Sequence, residues 1–168
     1  MSIIFETPQL LVRKLVMDDL TDFNAMQSNI NVMKYTRGYA MTFEENNEEL
    51  QKLIGFYDDE KPKLKVWAVV NKAENKFVGT VALIEEEPLI FEIGFRFLEK
   101  YWNKGYGTEI VNGLITFCKR KQYKKLIALV VHLNTASEKI IKNAQFVAVE
   151  KYVCTDLQLP ETKYELNL

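Results

Sequence analysis

An α+β domain with a mixed, mostly antiparallel sheet is the fold class that the sequence predicts, on three observations. Strand-like and helix-like periodicities follow one another in the order strand, two helices, three strands, helix, strand, helix, two strands. The three middle strands are joined by short polar turns, as in an antiparallel meander. The last of them leads through a helix to the nearly all-apolar run 126–133, a crossover that places those two strands parallel to each other. At 168 residues, 48% of them hydrophobic, the chain suits one domain over 1–168, with about four helices flanking the sheet.

Taken in order, residues 9–16 read as the first strand, with Leu10 and Val12 apolar and Arg13 and Lys14 polar. Asp18 predicts the cap of a helix to about Ser28, whose stripe is Leu20, Phe23 and Met26. Residues 31–39 are irregular, and Tyr35, Arg37 and Tyr39 suit either an ordinary loop or a binding wall. Thr42-Phe43-Glu44-Glu45 is a capping box, opening a helix to about Tyr57 with Leu50, Leu53, Ile54 and Tyr57 inward. The period then changes to two, giving strands over 65–70 and 77–84, and Glu85-Glu86-Glu87-Pro88 reads as the next turn. In the strand 89–98, Leu89, Phe91, Ile93, Phe95 and Phe97 share one face, with Glu92, Gly94 and Arg96 on the other. Beyond the apolar run, Thr135 and Glu138 predict a second capping box for a helix to about Ala144. Residues 147–154 and 162–166 finish the chain as strands that pair.

Composition excludes several function classes. Acidic and basic residues number 23 and 22, and no block of like charge reaches five residues, so neither nucleic acid nor a membrane surface is an expected partner. Lys119, Arg120, Lys121, Lys124 and Lys125 read as the solvated, dipole-favoured end of a helix. The opening Met1-Ser2-Ile3-Ile4-Phe5-Glu6 lacks the marks of a signal peptide, and no apolar run is fit to span a bilayer, so a cytoplasmic location is expected. Cys118 and Cys154 lack metal or redox spacing, and His132 is the single histidine, so no metal site is expected.

The most informative stretch is Tyr101-Trp102-Asn103-Lys104-Gly105-Tyr106-Gly107-Thr108-Glu109. It joins a strand to a helix through two glycines, which allow close approach of a ligand to backbone N–H groups at a helix N-terminus, with Lys104 adding a cation. Phosphate or pyrophosphate is the ligand implied; a tight turn facing water is the alternative. The Walker loop requires Gly-Lys-Ser/Thr, and the dinucleotide fingerprint a third glycine where Ile110 stands.

Trp102-Asn103-Lys104-Gly105-Tyr106-Gly107-Thr108-Glu109 resembles the pyrophosphate-binding motif of the GNAT N-acetyltransferases, in particular the branch of ribosomal-protein N-terminal acetyltransferases, and Glu6-Thr7-Pro8-Gln9-Leu10-Leu11-Val12-Arg13 is similar to that branch's first strand. The resemblance implies acetyl-CoA as co-substrate, CoA as product, and a primary amine as acceptor, either a small molecule or a protein N-terminus. It implies a GNAT-like sheet in which the strands over 89–98 and 126–133 splay apart beside the glycine loop. It assigns Trp102, Asn103, Lys104, Gly105, Tyr106, Gly107, Thr108, Phe95 and Asn134 to the cofactor, and Ser137 to the thioester sulfur. Gly94 fits a close backbone approach within the strand. Glu92, or else Asp156, is the expected base; Tyr101, Tyr106 and Tyr152 are unranked as acids. A non-catalytic CoA-binding sensor or interaction module is the alternative. Exposed edges of the last two strands would suit a homodimer. One departure is Gln145, which stands where the family's text places the glycine that ends the helix.

Overall fold

The computed structural model describes residues 2–168; Met1, the first residue of the N-terminal stretch read above, lies outside them. Its elements are β1 (Ile3–Glu6), β2 (Leu10–Lys14), α1 (Leu20–Gln27), α2 (Ile30–Met33), α3 (Phe43–Gly55), β3 (Leu64–Asn71) and β4 (Lys76–Glu87). There follow β5 (Ile90–Phe97), α4 (Tyr106–Arg120), β6 (Lys125–Val131), α5 (Thr135–Asn143), β7 (Val147–Val153) and β8 (Pro160–Asn167). The eight strands form one sheet in the order β1-β2-β3-β4-β5-β6-β8-β7, antiparallel except for the β5–β6 pair.

Period-two geometry divides the sheet into two covered faces. Phe97 lies 6.2 Å from the Tyr106 ring of α4, while the preceding residue, Arg96, donates a hydrogen bond to Gln27 of α1. Helices α4 and α1 therefore cover opposite faces, α4 burying Ile110, Val111, Leu114 and Cys118, and the α1–α3 pair burying Phe23, Met26, Leu50 and Leu53. The predicted capping box of α3 is present, with Thr42 accepting from the Glu45 N–H and Glu45 from the Thr42 N–H.

Several expectations are corrected. The chain opens on β1, which local pattern did not reveal because its hold is tertiary: Phe5 stacks on Phe117 of α4 at 5.4 Å. Asp18 caps no helix; Asp19 instead accepts from the Val16 N–H and pairs with Arg13, and α1 begins at Leu20 after a 3-10 turn. Residues 31–39 begin inside the single turn α2, Ile30–Met33, and continue as a loop. Glu85, Glu86 and Glu87 belong to β4, which bulges there against β5, and the turn falls on Pro88 and Leu89, with Leu89 at φ 68°. The cap of α5 is Asn134, whose side chain accepts from the Ser137 N–H, while Glu138 accepts from the Tyr164 hydroxyl and pairs with Lys142. Strand β8 inserts between β6 and β7, so of the last two strands only β7 offers a free edge. Gln145 does adopt the left-handed region, at φ 69°.

Candidate active site

Strands β5 and β6 begin as a pair and then part. Their parallel register holds for Ile90↔Lys125, Phe91↔Leu126 and Glu92↔Ile127, and goes no further. Strand β6 runs on to Val131 fully paired with β8, and β5 runs on to Phe97 paired with β4, so each keeps its outer partner while the inner edges separate. A cavity of about 460 Å³ opens there, lined by Ile93, Gly94 and Phe95 on one side and by 128–131 on the other. Within the apolar run 126–133, Leu129 is 38% exposed, where β6 turns one side chain toward this opening. An added Cβ at Gly94 would touch only Ala82, at 3.7 Å.

The glycine loop follows β5. Trp102 is anchored by its indole N–H on the Phe97 carbonyl at 2.9 Å, and the Lys104 ammonium lies 5.0 Å from the Tyr101 ring centroid. Asn103 has φ 58° and Gly105 φ 81°, and a Cβ built on Gly105 would meet nothing within 4 Å. Gly105 occupies the N-cap of α4 and offers no side-chain cap, which leaves the first-turn N–H groups for an external acceptor.

The other glycine carries a packing constraint of its own. A Cβ on Gly107 would fall 2.6 Å from Ile140 Cδ1, so this glycine lets α4 pack against α5. Tyr106 is buried, and its hydroxyl accepts from the Asn71 amide at 2.7 Å; only its backbone remains for a ligand. Tyr101 is buried as well, its hydroxyl donating to Glu74 at 3.3 Å. Thr108 is exposed on the first turn of α4. Glu109 accepts from the Thr7 hydroxyl and from the Gln9 N–H and amide at 2.5–2.7 Å, tying the β1–β2 turn to this helix.

Glu92, Phe95, Asn134, Ser137 and Asp156 all line the one cavity. They come from β5, from the turn into α5 and its first turn, and from the β7–β8 turn, three places joined only by folding. Burial, reinforced by the charges of Glu86 and Glu161, pushes the Glu92 carboxyl up to about 7. Asp156 is exposed. Tyr152 donates to Glu161 at 2.6 Å, and burial with that carboxylate raises its hydroxyl above its ordinary range. Sequence reasoning missed Glu161, because the last strand was read as starting at residue 162, and gave no role to Arg96. Arg96 was legible as a member of the Glu92 face.

Two features fit acetyl-CoA: the open, uncapped helix N-terminus at Gly105 and the strand edge left free beyond Glu92. Loop residues 102–108 would hold its pyrophosphate, and Phe95, which a Cβ on Gly107 would meet at 3.7 Å, marks the passage from loop to cavity.

Comparisons with known proteins show the family and the fold. Residues 9–147 match the family described as "Acetyltransferase (GNAT) domain". An uncharacterized N-acetyltransferase of Bacillus subtilis, YoaA, is 22% identical over 122 residues, covering 68% of this chain and 65% of that protein, just under two thirds of its length. A GNAT-family acetyltransferase structure from Bacillus anthracis superposes with a TM-score of 0.86 at 24% identity, covering 97% of each chain. The RimL ribosomal L7/L12 α-N-protein acetyltransferase in complex with coenzyme A superposes at 0.83 with 15% identity, covering 99% of this chain and 98% of that one. Among the described residues no helix is long and apolar enough to cross a membrane.

Proposed function

The chain belongs to the GNAT acetyltransferase family, and from that premise we propose that it catalyses acetyl transfer from acetyl-CoA to a primary amine, with Glu92 as the general base. The observation that carries the reading is the position of Glu92 at the last paired residue before the strands part, with its carboxyl at about 7. Acetyl-CoA supplies an acyl group activated as a thioester, which the acceptor nitrogen attacks directly. Only a neutral amine can attack, so Glu92 takes the proton from the ammonium; a base near 7 is partly ionised at neutral pH and strong enough for that transfer. An N-terminal amine of pKa near 8 needs less help from this base than an alkyl amine of about 10.4. Ser137 donates a hydrogen bond to the departing sulfur, and Asn134 and residues 102–108 hold the cofactor. Asp156, at the mouth, faces the incoming amine. A single domain over 1–168, a place near the ribosomal-protein N-terminal acetyltransferases and a cytoplasmic location belong to the same proposal, supported by the Trp102–Glu109 motif and by the fold shared with RimL.

Thermal unfolding with acetyl-CoA, CoA and ATP tests the cofactor. At about 100 times the dissociation constant either CoA species is expected to add roughly 2.7 kcal/mol, or about 5–10 °C, and ATP little. Gly105→Glu, which puts bulk and charge at the α4 N-terminus, is expected to abolish that shift and thiol release together; normal turnover by folded Gly105→Glu would defeat the proposal.

A further inference from the structure

Six charged side chains line the cavity: Arg37, Glu49, Glu92, Arg96, Asp156 and Glu161. Glu92 and Glu161 stand together at one end, and both guanidiniums, with Glu49, stand at the other. At the β5–β6 branch point the charges acting on Glu92 are Glu86 and Glu161, both negative. At the other end, under α1 and α3, the charges acting on Arg96 are Glu49 and Arg37. Glu49 is already engaged on both oxygens, by Arg37 at 2.8 Å and by the Gln27 amide at 3.0 Å. Arg96 forms no ion pair among the described residues; its one hydrogen bond goes to the neutral carbonyl of Gln27, itself fully buried. No enclosed side-chain nitrogen or oxygen among the described residues lacks a partner, so the remaining N–H groups of Arg96 are reachable, and the space they line is the cavity. A half-buried cation whose one hydrogen bond goes to a neutral group is stabilised when an anion joins it. Glu92 and Arg96 share one face of β5, four residues or about 13 Å apart.

Resting on the acetyltransferase reading, we propose that the acceptor is an amine that carries its own carboxylate, with the reacting nitrogen at Glu92 and the carboxylate held by Arg96. A simple polyamine would bring a second cation to the guanidinium end, where the sign is wrong.

The experiment compares three acceptors of equal chain length, ε-aminocaproate, its amide and hexamethylenediamine, by thiol release from acetyl-CoA. The carboxylate acceptor is expected to show the highest kcat/KM, by about tenfold, the value of one charged hydrogen bond. Arg96→Gln is expected to raise its KM about tenfold more than that of the amide, and Arg96→Lys to restore part of the difference. A diamine that matches or beats the carboxylate, or an Arg96→Gln loss equal for all three, would overturn the proposal. Should none of the three be acetylated, caproate decides by binding alone. A rise in the unfolding midpoint of the wild-type CoA complex that disappears in Arg96→Gln supports it, and no rise in wild type overturns it. Folding of each variant is read from the shift given by CoA itself. A wild-type protein that CoA fails to stabilise would overturn the acetyltransferase reading, a result distinct from any of these.

Discussion

Arg13 and Arg96 project from strands of the same sheet and are held in opposite ways. The Arg13 guanidinium meets Asp19 through two hydrogen bonds of 2.7 Å, with the two side chains 9% and 5% exposed, and the pairing holds its pKa above the ordinary value. Arg96 has only Gln27, and burial lowers its pKa. The carboxylates divide in the same way. Glu109 accepts three strong hydrogen bonds from the β1–β2 turn, whereas Glu92 is left to burial and to like charges. Around β2 and α4 the polar groups satisfy one another and join elements; beside the free edge of β5 they are left wanting partners. Under the proposed function, groups of the first kind act on stability and groups of the second on ligands.

Three substitutions can break or sharpen that contrast, from the largest effect to the smallest. Asp19→Ala, which strands Arg13 inside the fold, is expected to cost about 3–5 kcal/mol in denaturant unfolding. The contrast requires that acetyl-CoA affinity of the folded Asp19→Ala fraction stay close to wild type. Glu92→Gln is expected to lower turnover about 100-fold or more while cofactor binding persists. Its stability should move the other way. The folded pKa, about 7, lies above the ordinary 4.5, so the native state holds the proton longer, and the stability contributed by the protonated carboxyl is lost as pH rises from about 4.5 through 7. Glutamine removes that loss, and a gain on the order of 2 kcal/mol at pH 8, absent at pH 4, is the expected difference between the two denaturation curves. A Glu92→Gln protein that is less stable than wild type at both pH values would move Glu92 into the structural class. Wild-type turnover should fall on the acid side with a midpoint near 7, a limb that the variant lacks. Last, Gln145→Gly, at a residue held at φ 69°, should add about 0.5–1 kcal/mol and leave turnover alone.

Much of this was legible in the chain. The capping box at Thr42, the period of α4 and the alternation of β5 are local signals, and each appears where the pattern placed it. The glycine motif located the helix N-terminus. Its two glycines look equivalent in sequence and are not: one is needed for its φ of 81°, the other for the approach of Ile140. That distinction requires α5 to be in place. Asp18 and Asp19 are likewise adjacent acids, and only the nearness of Arg13 selects Asp19.

The sequence by itself determined most of the element types, the parallel crossover and the family motif, because propensity, period and capping act within a few residues of the chain. Tertiary structure alone decided the rest. It placed β8 between β6 and β7, which brings Glu161 to Glu92 across nearly seventy residues. It also released β6 from β5 beyond Glu92, so that one continuous run of apolar residues became one wall of a cavity. Charges couple through space and strands pair through register, and neither quantity is defined until distant segments meet.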